Sequence, residues 1–439
     1  MTLLDLVPRV TATDRLTALP VVIIGAGPIG LAAAANLVER GIAFVVLEAG
    51  DQPAAAITLW GHTRLFSPWR HLIDPASRRL LEARGEWTPP ADEERAPTGR
   101  QLVDEYLVPL AELDELRPHV RYGARVVAVT REGMDRTRTA GRTQTPFVVR
   151  FRTADGRIDE LTGRAVIDAS GTYLTPNPLN SSGLEPIGGA DVDERMIHAL
   201  PDVLGADRSR FAGRHTTVVG AGHSAANTLI ALAELAETAP GTRVTWLIRN
   251  ASAVRVSSSA EDELADRAQL GSRVDRLVET GTVHKVDSFE ISALERQGEG
   301  VRLIGSRRGE PATHDTDLVV GATGFRPDLS MLREIRLELD AIVEAPVRLA
   351  PLIDPNLHSC GTVSPHGFEQ LRHPESGLFV VGMKSYGRAP TFLLATGYEQ
   401  VRSVTAWIDG DMRSAAEVRL TLPSTGVCST DIGAGSCCS

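Results

Sequence analysis

Three glycines early in the chain have the spacing of a phosphate-binding loop. Gly25, Gly27 and Gly30 follow the apolar residues 21–24 and precede an alanine-rich segment with helical character. The first glycine allows a tight turn, the second lets backbone N–H groups approach a pyrophosphate, and the third lets helix and strand pack closely. Glu48 ends a second apolar run about 20 residues later, where a carboxylate binds ribose hydroxyls. The pattern predicts a dinucleotide site, against the alternative of a plain glycine turn with a solvated Glu48.

A second loop of the same kind follows the apolar residues 216–219 and leads into another segment with helical spacing. Its candidate cofactor-binding residues are Gly220, Gly222, Ser224 and Ala225. The next predicted strand ends at Arg249, in the position that Glu48 has in the first unit. An arginine there accommodates a 2′-phosphate. We therefore expect NADPH rather than NADH at the second site, unless Arg249 is a solvated surface charge.

Catalytic candidates lie at residues 60–71, a segment dense in aromatic, histidine and arginine residues for a chain with 5% aromatic residues. Because it follows Glu48 closely, this segment could lie beside the cofactor. Arg64 or His62 would then offer charge or proton transfer, and Trp60 a stacking face. The alternative is a surface loop whose aromatic residues pack into the core.

Three of the four cysteines lie in the last twelve residues, at Cys428, Cys437 and Cys438, on a segment rich in glycine and serine. Thiolates bind soft metals and metalloids, so we expect this tail to hold such an ion. The alternatives are a redox shuttle, in which Cys428 and Cys437 exchange electrons with the cofactor or with an outside disulfide, and a tail without function. Cys360 is expected to be a small buried residue.

Two βαβ units position the glycine loops, and residues 121–129, 147–153 and 165–168 predict the strands of a β-meander. Small residues follow two further predicted strands and would let the backbone approach a cofactor. A late helix is expected to begin near Thr391 and to aim its N-terminus at the cofactor. The additional cofactor-binding candidates are Gly171, Gly324, Gly382 and Thr391. The predicted fold is α/β, with two Rossmann-like three-layer dinucleotide-binding domains and a β-meander insertion.

The amino-acid composition indicates which kinds of molecule the protein could bind. The chain has 439 residues, a net charge of −10, 42% hydrophobic and 23% charged residues, which is ordinary for globular domains. The acidic balance argues against nucleic-acid binding, and no apolar run is long enough to span a membrane. Four cysteines fit a reducing, cytoplasmic compartment. A small-molecule substrate is the expected partner, and the oligomeric state stays open, with a dimer as one expectation.

The two glycine motifs, the Ala322-Thr323-Gly324 turn and the closing strand and helix from Gly377 resemble the flavoproteins with two dinucleotide-binding domains. The resemblance covers about residues 20–410 and implies FAD at the first site and NADPH at the second. It also implies a division of the chain. The expected parts are an FAD-binding domain from residues 1–180 and 322–412, an NADPH-binding domain at 181–321, and a flexible cysteine-containing tail at 413–439.

Within this group the chain resembles the class B flavin monooxygenases more than the disulfide reductases. Disulfide reductases carry paired cysteines close to the flavin, and their closing motif usually ends in Gly-Asp, where this chain has Gly382-Met383. Class B enzymes use NADPH to reduce FAD and then oxygenate a soft nucleophile or a carbonyl. Their fingerprint Phe-x-Gly-x-x-x-His-x-x-x-(Trp/Tyr) is present only in part, and it makes His198 a third catalytic candidate.

These features favour an NADPH-dependent FAD enzyme of the monooxygenase type that oxidises a small soft nucleophile, such as a sulfur or arsenic compound. The vicinal Cys437-Cys438 pair resembles the tails of mercuric reductases and of flavoproteins associated with arsenic resistance. A second hypothesis is therefore a reductase of a disulfide or a thiol-bound metal or metalloid, whose tail thiols receive the electrons. A third, non-enzymatic hypothesis is a flavin-bound redox or metal sensor.

Overall fold

The computed structural model describes residues 16–251, 265–354, 365–389 and 392–420 as a mixed fold with two parallel five-stranded sheets. The strands are β1 (Val21–Ile24), β2 (Phe44–Leu47), β3 (Val120–Arg121), β4 (Arg125–Arg131), β5 (Phe147–Arg152), β6 (Ile158–Gly163), β7 (Ala165–Asp168), β8 (Met196–His198), β9 (His215–Val219), β10 (Arg243–Leu247), β11 (Val283–Val286), β12 (Phe289–Gln297), β13 (Gly300–Arg307), β14 (Glu310–Thr316), β15 (Leu318–Gly321) and β16 (Leu378–Val380). The α-helices are α1 (Pro28–Glu39), α2 (Ala55–Thr58), α3 (Pro75–Arg84), α4 (Gly99–Leu102), α5 (Val108–Ala111), α6 (Arg208–Phe211), α7 (His223–Thr238), α8 (Ala265–Glu279), α9 (Ala350–Ile353), α10 (Phe368–Leu371), α11 (Leu394–Asp409) and α12 (Met412–Ala416).

The first sheet has the strand order β16-β7-β1-β2-β3, and its neighbouring strands are parallel. β1 and β7 are buried along their whole length, as apolar strands covered on both faces must be. Helix α1 covers one face through its alanines and through the fully buried Leu31 and Leu37. The antiparallel meander β4-β5-β6 covers the other face with Phe147 and Phe151.

The second sheet has the order β11-β10-β9-β15-β8, again with parallel neighbours. Helices α7 and α8 lie on one face, and a second antiparallel meander, β12-β13-β14, covers the other. This second meander is not among the strands predicted from the sequence. Strand β14 is mostly polar and exposed, so its sequence has the character of a loop, and only pairing with β13 makes it a strand.

The strand predicted at residues 121–129 is two strands in different sheets. β3 ends at Arg121 as the edge of the first parallel sheet, whereas β4 begins at Arg125 in the meander. Between them, Gly123 has a φ of +63° and donates its backbone N–H to the carbonyl oxygen of Gly50 at 2.7 Å. Hydrophobicity continues across this turn, and therefore the pattern of apolar residues does not reveal it.

Two segments, residues 173–177 and 323–326, connect the two parallel sheets and lie side by side. We call them the crossing segments. The N–H of Asn177 donates to the carbonyl oxygen of Gly324 at 2.9 Å, and the N–H of Arg326 donates to that of Thr175 at 3.0 Å. The Thr323 hydroxyl adds a 2.7 Å hydrogen bond to the carbonyl oxygen of Asn177. The two halves of the chain are thus joined by a short antiparallel pair. The division of the chain at residues 180, 321 and 412 stays a prediction.

The C-terminal segment completes the first sheet and packs on the first glycine helix. β16 pairs with β7, and both Gly382 and Gly397 contact Ile29 in the first turn of α1. A Cβ on Gly382 or Gly397 would lie 3.1 Å or 2.4 Å from the Ile29 side chain. Gly382 and Gly397, more than 350 residues after Ile29, therefore pack directly against the helix that follows the first glycine loop.

A buried charge cluster fastens the same C-terminal segment to the meander. The Glu375 carboxylate accepts hydrogen bonds from Arg131 Nε and Arg142 Nε, each at 2.9 Å, and all three residues are buried. The Arg131 guanidinium also lies 3.6 Å from the centre of the Phe147 ring. Burial raises the pKa of Glu375, but the hydrogen bonds from Arg131 and Arg142 outweigh it, and the net pKa is lower than usual.

We expect Glu375→Gln to destabilise the fold strongly. The substitution leaves two buried guanidinium groups without a compensating charge, and breaking a buried ion pair costs about 3–5 kcal/mol. The measurement is urea-induced unfolding followed by far-ultraviolet circular dichroism.

The matched control is Glu299→Gln, which removes an exposed carboxylate paired with Arg195 and is expected to cost less than about 1 kcal/mol. The pKa of Glu375 in the folded state lies below its usual value of 4.5. Its contribution to the free energy of unfolding is therefore complete above pH 4.5 and is lost as the pH falls through the folded-state pKa. Equal destabilisation by both substitutions at neutral pH would contradict this account.

Candidate active site

The first glycine loop joins β1 to α1. Gly25 has a φ of +98°, and a Cβ there would lie 2.9 Å from the carbonyl oxygen of Ala169. A Cβ on Gly30 would lie 1.9 Å from the carbonyl oxygen of Gly25, so only glycine permits this close approach. A Cβ on Gly27, by contrast, would meet nothing within 4 Å. The loop therefore has the open surface at a helix N-terminus that suits a dinucleotide diphosphate.

Glu48 fastens this loop from the neighbouring strand. One carboxylate oxygen accepts a 2.7 Å hydrogen bond from the N–H of Ala26, and the other accepts one of the same length from the N–H of Gly50. Glu48 also lies on the wall of the cavity described below. Each oxygen keeps acceptor capacity, and ribose binding by Glu48 stays a prediction.

The second glycine loop repeats the geometry of the first. Gly220 has a φ of +134°, and a Cβ there would lie 2.1 Å from the carbonyl oxygen of Ala322. A Cβ on Gly222 would again meet nothing within 4 Å. Trp246 stabilises this loop, because its indole Nε1 donates a 2.7 Å hydrogen bond to the carbonyl oxygen of Gly220. The open surface fits a second dinucleotide.

A continuous cavity of about 1460 Å³ joins the two loops. The predicted cofactor residues on its wall are Gly25, Gly27, Glu48, Gly171, Gly220, Gly222, Ser224, Arg249, Gly324 and Gly382. Arg249 is exposed just beyond β10. Gly30 and Ala225 support the loops from within their helices and do not line the cavity. Thr391 lies outside the described residues.

The three catalytic candidates have different positions. Arg64 lines the cavity, and its Nη1 donates to the carbonyl oxygen of Ala96 at 2.6 Å. His62 is exposed and is not part of the cavity wall. His198 is exposed at the end of edge strand β8 and is not part of the wall either. The structure therefore brings only Arg64, among these three, to the cavity.

Lys384 is a site residue that the sequence analysis missed. Its Nζ lies 2.7 Å from Asp168 Oδ2 and 3.0 Å from the hydroxyl oxygen of Ser170, and the Lys384 and Asp168 side chains are 1% and 0% exposed. Lys384 and Ser170 line the cavity, whereas Asp168 does not. The lysine of this buried pair is therefore the member that belongs to the cavity wall.

Two sequence signals could have identified Lys384. It is one of only two lysines in a chain rich in arginine, and it directly follows the Gly382-Met383 closing motif. Asp168 ends an otherwise apolar strand, which is costly for a carboxylate without a partner. A compact ammonium suits such a confined position better than a planar guanidinium.

The predicted metal site lies outside the described residues, as do all four cysteines: Cys360, Cys428, Cys437 and Cys438. Binding of a metal or metalloid ion by the tail stays a prediction. In the part of the chain that the structure describes, no group of three or more His, Cys, Asp or Glu side chains could hold a metal ion. No helix in that part is long and apolar enough to cross a membrane.

Known proteins similar to this chain include both monooxygenases and disulfide reductases. Indole-3-pyruvate monooxygenase YUCCA6 of Arabidopsis thaliana is 31% identical over 205 residues, which are 46% of this chain and 42% of that protein. The match thus spans less than half of the curated relative.

Two solved structures have the same fold. The bacillithiol disulfide reductase Bdr of Bacillus cereus has a TM-score of 0.66 at 22% identity, covering 90% of this chain and 99% of its own. DfoA, a cadaverine monooxygenase of the desferrioxamine pathway of Erwinia amylovora described as bound to FAD, has a TM-score of 0.66 at 14% identity, covering 92% and 98%.

These likenesses confirm the predicted α/β fold class with two dinucleotide-binding units. The predicted class of oxidoreductase enzyme and the predicted pairing of a flavin with a pyridine nucleotide are confirmed at the level of the family. The family match spans residues 22–348, which is well over half of the 439-residue chain. The chain belongs to the pyridine nucleotide-disulphide oxidoreductase family.

Proposed function

We propose that this protein is an FAD- and NADPH-dependent oxidoreductase of the monooxygenase type. The observation that carries the proposal is the continuous cavity that joins both glycine loops, with Glu48 at one and Arg249 at the other. Two dinucleotides bound there would share one continuous cavity, which lets their reactive rings come close enough for hydride transfer. FAD belongs at the first loop and NADPH at the second. The description of DfoA as bound to FAD supports the flavin.

The first site holds FAD through complementary charge and open backbone. The loop around Gly27 receives the diphosphate, Glu48 binds ribose hydroxyls, and Gly171 and Gly382 leave room for the rest of the cofactor. Lys384 supplies a buried positive charge toward this anionic ligand. When bound, FAD supplies a carrier for two electrons between the pyridine nucleotide and the final acceptor.

The second site selects the phosphorylated nucleotide. The N-terminus of α7, with Gly222 and Ser224 on the wall, receives the diphosphate. Arg249 binds the 2′-phosphate, and its exposure keeps it free to close over that group. A carboxylate at this position would repel NADPH.

Oxygen transfer to a small soft nucleophile, such as a sulfur or arsenic compound, is the activity that we favour. The described wall of the cavity carries aromatic and apolar side chains, among them Trp60, Tyr173 and Phe325, and these suit a small uncharged substrate. Arg64 is placed to orient a substrate on that wall, whereas the exposed His62 and His198 would need a change of conformation to reach it.

A reductase is the second candidate, because Cys428, Cys437 and Cys438 in the tail could receive electrons and the Bdr relative is a disulfide reductase. The tail thiols would then carry a disulfide or a bound metal or metalloid ion as the acceptor. The two candidates share both cofactors and differ only in where the electrons go.

We expect Arg249→Ala to weaken NADPH binding by about 10- to 100-fold, because a charge-assisted contact to phosphate is worth about 1.5–3 kcal/mol. NADH binding should not change, since NADH lacks the 2′-phosphate. The measurement is the concentration dependence of FAD reduction by each nucleotide in anaerobic stopped flow.

The matched control for this prediction is Arg243→Ala at the other end of the same strand, on an exposed residue that is not part of the cavity wall. That variant should behave as the parent. An Arg249→Ala enzyme that still prefers NADPH to the parental degree would remove the 2′-phosphate role.

We expect Lys384→Met combined with Asp168→Asn to weaken FAD binding by about tenfold or more, because the site loses its buried positive charge while no unpaired carboxylate is left behind. Lys384→Met alone should also destabilise the apoprotein. The measurements are FAD dissociation constants from flavin fluorescence and the thermal unfolding of the apoprotein.

The other lysine of the chain provides the control. Lys285→Met lies in the second sheet, away from the FAD site, and should leave FAD affinity unchanged. If the double variant binds FAD as tightly as the parent, Lys384 has only a structural role.

We expect an oxygenase signature that does not depend on the tail. After anaerobic reduction by NADPH, mixing with oxygen should give an absorbance spectrum distinct from those of oxidised and reduced FAD, and this should persist before reoxidation. Replacing Cys428, Cys437 and Cys438 by serine should leave this behaviour intact. Reoxidation that requires a disulfide, mercury or a trivalent arsenical, and that the triple substitution abolishes, would instead establish the reductase.

A further inference from the structure

The paired crossing segments carry two aromatic residues side by side. Tyr173 lies two residues after Gly171, and Phe325 directly follows Gly324. Their ring centres are 5.1 Å apart with an angle of 34° between the ring planes. Since the backbones of these segments are hydrogen-bonded to each other, the two rings have a fixed relation.

Trp60 lies beside this pair of rings. Its ring centre lies 6.4 Å from that of Tyr173. On another side the indole rests on Gly99, where a Cβ would lie only 2.8 Å from the ring. The absence of a side chain at Gly99 therefore lets the indole sit deep against the core, and the side chain is held in place.

The three rings form part of the wall between the two nucleotide loops. Trp60, Tyr173 and Phe325 all line the cavity, and each is only partly buried. Exposed apolar side chains lie on the same wall at Leu59 and Leu174, with exposed fractions of 60% and 59%. The part of the cavity between the cofactor loops is therefore aromatic and apolar.

Two polar groups on this wall have no hydrogen-bond partner among the residues that the structure describes. Within the described residues, neither the Tyr173 hydroxyl nor the Trp60 indole N–H makes a hydrogen bond. A phenol is protonated at neutral pH and can donate, and burial raises the pKa of the Tyr173 phenol further in the same direction. A ligand on this wall thus meets aromatic faces together with two hydrogen-bond donors.

We propose that Trp60, Tyr173 and Phe325 form the substrate subsite and that it takes an uncharged aromatic compound carrying a soft heteroatom, an aryl sulfide being the simplest case. The inference rests on the proposed monooxygenase function and names its substrate class. Aromatic rings bind other aromatic rings by offset or edge contacts, and the free donors suit a weakly basic acceptor on the ligand.

The corresponding reaction balances with the reagents already named. One atom of O2 forms the S–O bond of a sulfoxide, the O–O bond breaks, and the other atom leaves as water. NADPH supplies two electrons and one proton through its hydride, and solvent supplies the second proton. The sulfur loses the other two electrons that O2 takes up.

The experiment compares thioanisole with dimethyl sulfide on the FAD-loaded full chain, using isothermal titration calorimetry for binding and product analysis for sulfoxide formation. Thioanisole is expected to bind more tightly than dimethyl sulfide. Tyr173→Leu and Phe325→Leu should each weaken thioanisole binding by about tenfold, because aromatic contact and buried apolar area are lost together. Tyr173→Phe keeps the ring and should retain most of the affinity.

The matched control is Tyr122→Leu, since Tyr122 is a partly exposed tyrosine that is not part of the cavity wall. FAD content and reduction by NADPH without a substrate report whether each variant is folded. Equal binding of the two sulfides, or equal effects of Tyr173→Leu and Tyr122→Leu, would overturn the subsite.

Two outcomes separate the aromatic subsite from the monooxygenase function. If thioanisole binds in a ring-dependent manner but no sulfoxide forms, the aromatic subsite stands and the monooxygenase function falls. If dimethyl sulfide is oxygenated as efficiently as thioanisole and Tyr173→Leu changes neither reaction, the monooxygenase function stands and the subsite falls.

Discussion

Both nucleotide loops depend on contact between a glycine and the carbonyl group at the end of a neighbouring strand. Gly25 meets the carbonyl oxygen of Ala169, and Gly220 meets that of Ala322, at distances that leave no room for a Cβ. Each contact leaves room only for a glycine where the chain turns from strand into helix. It also places each loop next to a crossing segment. The geometry of the two glycine loops and their position beside the crossing segments thus follow from one steric constraint, which occurs twice.

The first sheet is assembled from distant parts of the chain, and buried charges connect them. Lys384 pairs with Asp168 across 216 residues, and Glu375 binds two arginines of the meander region. A buried pair contributes little net stability compared with apolar packing, but an incomplete pair is costly. Such pairs therefore favour one register of the C-terminal segment over others. Lys384 also lines the cavity.

The relatives show why the fold leaves the reaction open. A monooxygenase and a disulfide reductase have the same fold as this chain at similar TM-scores, so the fold supports either chemistry. Where the electrons go depends on the acceptor side of the cavity. Among the described residues, the wall there includes the rings of Trp60, Tyr173 and Phe325 together with Arg64. The proposed function therefore rests on these side chains and not on the topology.

The sequence by itself determined the features whose signal is local. The glycine loops, Glu48, Arg249 and the small residues at strand ends could be predicted, because turn geometry and hydrophobic periodicity involve neighbouring residues. Only the tertiary structure decided which side chains meet. In the structure, His62 and His198 lie away from the cavity, and Lys384 pairs with Asp168. The rings of Trp60, Tyr173 and Phe325 lie on one wall. The physical reason is that burial and contact across hundreds of residues depend on how the strands are ordered in the sheets, and no local pattern encodes that order.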